Sequence, residues 1–496
     1  MTTALNRFIT YTTAVYTGQA FSILRGVLLA ALLTPTQFGL WRIVKLLLDY
    51  AQHLPLGAIH FLRQELPAAR GKNKAAQAKE VCGDVLGWLL VLGLGVMFAG
   101  LAAFLDRRLL AAWPAWFAPL LALLIAAQLL LLFIEAKLMA EERVTEGGAI
   151  VFAVALIALI TMPLGAWKFG VLGAFIGLVI SMVVPLLWLA GTGAFPHPQL
   201  PSWARIRNMQ RIGGGIWLTW VPVTVLGDVD QWLVASQMGA EAMGHYGIVV
   251  FFGSLILFLP NIFRSIYLPY FIRHFSADNN PRRLSAPFIW SLYLMGYASP
   301  FALALIAFLC EPLLVSALPA YQGSIPVVRC YVAGCFWWMI ASVTYVVCLA
   351  TRRKREWFAH TLIAIAAHSA TTFSIIRAGY GLSGVALATA GVFAVYGIAQ
   401  VRHTLAIVGE RAWLAVIARL LLSFTAAIVI VGSLLLWPAH GWNMWVTAAA
   451  RTVIAWIVFA LLFRWANQRF GFTALLHAAI SPTIPSSEQA LEAVYV

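Results

Sequence analysis

Charge is what this sequence has least of. Charged residues make up 10% of its 496 positions and only 18 are acidic, too few to keep an ordinary globular surface in water. No hydrophilic stretch exceeds about thirty residues, the C-terminal one included, so a soluble domain of usual size is excluded. Cysteine is sparser still, with five residues. Cys82, Cys310, Cys330, Cys335 and Cys348 lie in or beside apolar runs without CxxC spacing, which excludes a disulfide framework and favours small buried hydrophobes. Neither HExxH nor GxxxxGK[ST] occurs, so nothing points to a metalloprotease or an ATPase, and no cofactor is expected. The opening residues MTTALNRFIT lack a strongly basic segment, and no small-residue cleavage site follows the first apolar run; the first helix is expected to stay uncleaved.

What the chain has is apolar length. Hydrophobic residues make up 62% and mean hydropathy is +0.87. Fourteen runs are long enough to span a bilayer: about 13–33, 38–62, 82–105, 115–134, 148–167, 169–191, 213–234, 245–271, 288–310, 324–350, 357–376, 383–402, 414–437 and 443–466. An all-α integral membrane protein is expected.

The net charge of +15 suggests nucleic acid until the bases are placed. Of 33, 22 fall in alternate loops and only Arg107, Arg108, Lys168 and Arg377 in the opposite ones. That asymmetry is a topology signal that puts both termini in the cytoplasm, with anionic membrane lipids as a secondary contact and no nucleic-acid partner. The outward loops are too short for an extracytoplasmic catalytic domain.

Sliding the chain over itself reveals a weak repeat. LLTPTQFGLW (32–41) lies over QMGAEAMGHY (237–246), matching Gly39 with Gly244; FGVLGAFIGL (169–178) lies over YGLSGVALAT (380–389), matching Gly170 with Gly381. The expected layout is an N-terminal six-helix bundle over 1–212, a parallel pseudo-repeat over 213–412, two added helices over 413–466 and a cytoplasmic tail over 467–496. Parallel repeats are one transporter plan, with the substrate site between the halves.

The run FGLWRIVKLLLDYAQHLPLGAIHFL (38–62) holds Arg42, Lys45, Asp49 and His53. On one continuous helix these four share an arc of about 80°, extended by Gln52 and His60. Such a stripe belongs on a water-filled cavity or a polar helix contact. The alternative is a structural Lys45–Asp49 pair with Arg42 snorkelling to the interface, which leaves a base and both histidines unexplained. Arg25 on the first helix falls at about the depth of Lys45 (roughly 10 to 12 Å), and the three bases suit a phosphate or pyrophosphate. Asp228 and Asp230 point in nearly opposite directions near the outer end of the seventh run. Asp230 either pairs with Arg42 in one conformation, exchanges a cation, or is an interfacial structural group. Arg264 and Arg419 are expected to snorkel, Arg264 keeping a claim as a cytoplasmic-side contact. Arg329 and Arg451 lie deeper without a second base on their helices. His368 reads as a hydrogen-bonded packing histidine more than a proton relay.

LLTPTQFGLWRIVKLLLDYAQHLPLGAIHFLRQELPAARGKNK resembles the start of bacterial polysaccharide flippases, where a Pro-x-x-Phe-Gly turn joins helices 1 and 2. DQWLVASQMGAEAMGHYGI is similar to their helix 7 signature, here Asp230, Gly239, Gly244 and Tyr246, and YGLSGVALAT resembles the start of their helix 12. The likeness covers essentially the whole chain and extends to the multidrug/oligosaccharidyl-lipid/polysaccharide exporter superfamily. It implies a V-shaped, two-bundle transporter that moves an undecaprenyl-pyrophosphate-linked oligosaccharide to the outer leaflet of the inner membrane, with a polysaccharide polymerase and other assembly proteins as partners. Arg25, Arg42, Lys45 and Arg264 would hold the head group; Asp49, His53, Asp228 and Asp230 would supply coupling or counter-ions. In related lipid II flippases an Asp follows the arginine corresponding to Arg25; here Gly26 does. A lipid II flippase and an ion-coupled multidrug exporter are the alternatives.

Overall fold

The computed structural model describes residues 2–106, 114–276, 279–351, 353–437 and 443–473. Arg107, Arg108, Arg352, the loop from 438 to 442 and the tail beyond Thr473 lie outside the described residues. Every regular element among the described residues is a helix, and the chain has two compact units, Met1–Val221 and Pro222–Val496.

The first unit holds α1 (Thr2–Leu32), α2 (Pro35–Ala51), α3 (Ala58–Gly71), α4 (Ala75–Leu105), α5 (Phe117–Ala140), α6 (Val144–Gly191) and the start of α7 (Trp203–Gln237). Eleven helices among the described residues are long and apolar enough to cross a membrane, and a broken α7 makes a twelfth. The difference from fourteen has a physical origin in α2–α3 and α6.

At about 1.5 Å per residue, the 48 residues of α6 would reach some 72 Å, more than twice a hydrocarbon core. It is instead a hairpin folded at Gly170, whose φ of 61° and ψ of −143° leave the helical region. Glycines bring its arms together: a Cβ on Gly165 would lie 2.2 Å from the Gly173 carbonyl oxygen, and one on Gly177 2.5 Å from that of Thr161. Thr161 Oγ1 lies 2.8 Å from the Gly177 carbonyl. α6 therefore supplies two of the expected spans. The run at 38–62 is divided between α2 and α3, neither long enough alone.

The second unit continues from α7 through α8 (Gly239–Ile256), α9 (Phe258–Ser276), α10 (Ser285–Ser316), α11 (Ile325–Thr351), α12 (Lys354–Arg377), α13 (Gly381–Ile407), α14 (Trp413–Leu436) and α15 (Met444–Phe470). α11 packs along α13 and α10, and α12 packs on α13. The two added helices belong to this unit. Ser423 Oγ of α14 donates to the Gly296 carbonyl of α10 at 2.8 Å, and Trp456 Nε1 of α15 to that of Phe301 at 2.9 Å. Gly381, aligned with Gly170 by the repeat, opens α13 at φ 63°, so both matched glycines take a left-handed backbone where a new helix begins.

Candidate functional site

α2 starts earlier than its apolar run. Thr34 caps it: its hydroxyl accepts from the Gln37 N–H, the Gln37 side chain accepts from the Thr34 N–H, and Pro35 occupies the first turn. This moves the depths. Arg25 lies seven residues before the end of α1, Arg42 seven after Pro35 and Lys45 ten after it, or about 10, 10 and 15 Å along the helices. The depth match expected for Lys45 therefore belongs to Arg42.

Arg42, Lys45 and Asp49 lie on the partly open side of α2, while Phe38, Trp41, Ile43, Val44, Leu46 and Leu48 are buried. Lys45 Nζ pairs with Asp49 Oδ1, yet both side chains stay open, 39% and 43% exposed. The structural pair and an accessible polar face thus coexist. Arg25 is half-buried; among the described residues its Nε has no hydrogen-bond partner and it forms no salt bridge.

The stripe does not continue as one helix. α2 ends at Ala51, and Leu56 (φ 50°) and Gly57 (φ 95°) turn the chain before α3 begins. Pro55 cannot donate to a continuing helix and Gly57 takes the left-handed turn without strain, so the helical projection of His53 and His60 onto the stripe fails. The His53 and Pro55 carbonyls at the break accept the Leu56 and Ala58 N–H groups, each at 3.1 Å, and each also meets an indole. Trp217 Nε1 donates to the His53 carbonyl at 2.8 Å, and Trp88 Nε1 to that of Pro55 at 3.4 Å. Gly57 and Gly213 of α7 approach so closely that a Cβ on Gly213 would lie 1.9 Å from the Gly57 oxygen. His53 is half-buried at this break, its Nε2 without a hydrogen-bond partner among the described residues.

The acids of α7 have different fates. Asp230 is fully buried, whereas Asp228 is partly open and accepts from Gln231 Nε2 at 2.7 Å. Asp230 Oδ1 accepts the Gln231 backbone N–H at 2.8 Å. Its Oδ2 faces the Tyr246 hydroxyl at 2.5 Å and the Thr389 hydroxyl at 3.1 Å. Thr389 also lies 3.1 Å from His368 Nε2, and His368 Nδ1 lies 3.2 Å from the Leu226 carbonyl. The packing histidine expected from the sequence is hydrogen-bonded at both nitrogens, and through Thr389 it reaches the α7 acid. Periodicity gave no sign of that link, since the three residues lie on three helices.

Other intramembrane bases find partners. Arg329 Nη2 donates to Glu311 at 2.7 Å, Arg419 Nη1 to the Tyr293 hydroxyl at 2.9 Å, and Arg451 Nη2 to the Trp437 carbonyl at 2.8 Å. Arg264 on α9 is half-buried. No group of three or more His, Cys, Asp or Glu suited to a metal ion occurs among the described residues.

No protein-family model matches the chain, and no curated protein matches its sequence. Solved structures do match its fold. A lipid II flippase MurJ in an inward closed conformation superposes with a TM-score of 0.69 at 14% identity, covering 93% of this chain and all of that one (100%). An inward-facing multidrug resistance MATE family transporter of the MOP superfamily gives 0.66 at 13% identity, covering 84% of this chain and 99% of that one. A MOP superfamily transporter from Pyrococcus furiosus, described as having a binding pocket of reversed polarity, gives 0.57 at 14% identity, covering 81% and 94%. The chain has the fold of MOP-superfamily transporters and is a multi-pass membrane protein.

Proposed function

We propose that this protein flips a lipid-linked oligosaccharide carried on a polyprenyl pyrophosphate, of the undecaprenyl type, from the cytoplasmic to the outer leaflet of a bacterial inner membrane, for cell-surface polysaccharide synthesis. The observation that carries the reading is the surplus of cations on α1 and α2. Arg25, Arg42 and Lys45 stand against one acid, Asp49, and all four are only partly buried. An unpaired ion costs several kcal/mol in hydrocarbon, so a pyrophosphate needs cations inside the bilayer while its prenyl tail stays in lipid. Arginine suits phosphate oxygens through paired N–H donors, lysine through a compact charge.

In this reading Asp49 competes with the head group for Lys45 and resets the site after release, and rocking of the two halves provides alternating access. His53 tunes the local charge on the first unit; on the second, Arg264 serves as a cytoplasmic-side cation, and Asp228 and Asp230 belong to charge tuning and ion coupling. A polysaccharide polymerase takes the product in the outer leaflet. Both termini are cytoplasmic, as the loop charges require.

The second reading is an ion-coupled exporter of small molecules, since the same fold also serves a multidrug resistance MATE family transporter. The cationic stripe separates the readings, because an exporter of organic cations needs an acidic or aromatic cavity. Gly26 after Arg25 argues against lipid II as cargo.

The test is a flipping assay in cells or proteoliposomes with Arg25→Ala, Lys45→Ala and Asp49→Asn, each matched for expression. Loss of flipping in the two base variants is expected. Wild-type flipping in all three would refute the reading.

A further inference from the structure

We infer that the first unit binds one anionic membrane phospholipid in the crevice between the arms of the α6 hairpin, with an acyl chain along the crevice and the phosphate held by Lys137 and Arg143 at its mouth. The crevice follows from the register of the hairpin. Around Gly165, Gly173 and Gly177 the arms touch backbone to backbone, and Thr161 stands opposite Gly177. Counting back from that pair, Ala153 of the first arm comes opposite Pro185 of the second, and Ala149 opposite Leu189. Alanine side chains do not fill the space between the arms. A cavity of about 660 Å³ opens there, with Ile150 and Ile157 on one wall and Val184 and Trp188 on the other.

Its length matches one leaflet. From Ile157 to Glu146 the first arm runs eleven residues, about 16 Å, which is half of a hydrocarbon core of roughly 30 Å. A glycerophospholipid chain reaches that far and no further. An undecaprenyl chain is far longer, which sets this occupant apart from the cargo proposed above. Trp188 is exposed three residues before the end of α6, at the level where indoles anchor among head groups.

The mouth is cationic. Lys137 Nζ donates to the Ala194 carbonyl at 2.7 Å but stands 3.8 Å from Glu141 Oε1, beyond ordinary hydrogen-bond range, so it keeps hydrogens for a phosphate oxygen. Glu141 is the enclosed acid of the group, and Arg70 at 2.9 Å and Arg143 at 3.6 Å already share it. Arg143 also pairs with Glu146, but both side chains are about half exposed, and such a pair contributes too little to withhold the guanidinium from a phosphate. A second cavity, of about 450 Å³, shares Lys137 and adds Arg70 and Lys79. Four bases thus face two acids, Glu141 and Glu146, among the residues that line the two cavities. The loop charges put this end in the cytoplasm, where the leaflet is rich in anionic lipid and basic pockets between helices take its head groups. A free phosphate would meet the same cations but leave the apolar crevice empty. Surface charge alone would gather anionic lipid without limit, whereas a slot of one chain's length saturates.

The test uses purified full-length protein in detergent and native mass spectrometry, titrated with dioleoyl phosphatidylglycerol, with phosphatidylethanolamine of the same chains, or with inorganic phosphate. Wild type should hold one phosphatidylglycerol about tenfold more tightly than phosphatidylethanolamine. Lys137→Gln combined with Arg143→Gln should remove that preference, Gln keeping a donor for the Ala194 carbonyl. Ala153→Phe, which fills the crevice and keeps every charge, should weaken phosphatidylglycerol binding by about as much. Thermal unfolding confirms that each variant is folded. Full retention of phosphatidylglycerol in either folded variant would overturn the site. So would displacement by an equal concentration of inorganic phosphate, which marks a free-anion site, or equal affinity for phosphatidylethanolamine, which marks an apolar slot without a head-group contact. No flipping is measured, so the lipid site can fail while the cargo reading stands, and the reverse.

Discussion

Arg25 and Asp230 are both ionisable groups deep in membrane-spanning helices, and the protein treats them in opposite ways. Arg25 is half-buried, its Nε without a hydrogen-bond partner among the described residues, beside α2, where Arg42, Lys45 and Asp49 stay partly open. Asp230 is sealed from solvent, and each of its oxygens faces a donor on its own unit. A charge left incompletely satisfied is available to an outside ligand, whereas one enclosed by a fitted network exchanges little except a proton. On the proposed reading the first unit offers its cations to an anion, whereas the second holds a group whose hydrogen bonds are all internal.

That contrast can be broken from either side. The largest effect should come from Asp230→Ala, which strands the buried Tyr246 hydroxyl and takes an acceptor from Thr389, whose hydroxyl keeps the Val385 carbonyl and His368 Nε2. With roughly 1 to 3 kcal/mol for the buried orphan and a carboxyl-sized cavity besides, a loss of about 3 kcal/mol is expected, seen as a lower unfolding midpoint in detergent. Arg25→Leu should do the reverse. Flipping falls about tenfold, the equivalent of one charge-assisted hydrogen bond of about 1.5 kcal/mol, while the midpoint holds or rises because an unpartnered buried N–H is gone. A midpoint drop as large as that of Asp230→Ala would erase the distinction.

A smaller loss, about 1 kcal/mol, is expected for Trp217→Phe, which leaves the His53 carbonyl at the α2–α3 break without its indole donor. Thermal unfolding measures it, and an unchanged midpoint would show that solvent replaces the indole. Asp49→Asn should shift stability least, within about 0.5 kcal/mol, since exposed ion pairs contribute little. Its signature is kinetic: if Asp49 displaces the head group from Lys45, the variant binds cargo but turns over slowly. The exchange Lys45→Asp with Asp49→Lys, assayed for flipping, separates a structural pair from a working one. Recovery of wild-type rates would mark the pair as structural.

Much of the fold was legible because apolar length is a local property. Each run from α4 to α15 announces itself by composition, and the two runs that share α6 were separable at Phe169–Gly170. The break in the second run was signalled too, by Pro55 and Gly57, but hydropathy outweighed them and the projection ran through to His60. The Thr34 capping box was equally visible, and it resets the depth of the bases by a turn. The link from His368 to Asp230 carried no such signal. It depends on α7, α12 and α13 packing so that one hydroxyl lies between two groups.

By itself, the sequence determined that lipid is the solvent, most of the segments long enough to cross it, which loops carry the bases, and that α2 bears charges it does not balance. These follow from transfer free energies that add residue by residue along the chain. Only the tertiary structure decided which charges are satisfied. Asp230 and Thr389 are 159 positions apart, and a hydrogen bond is made or lost within a few tenths of an ångström, a condition that no local pattern encodes.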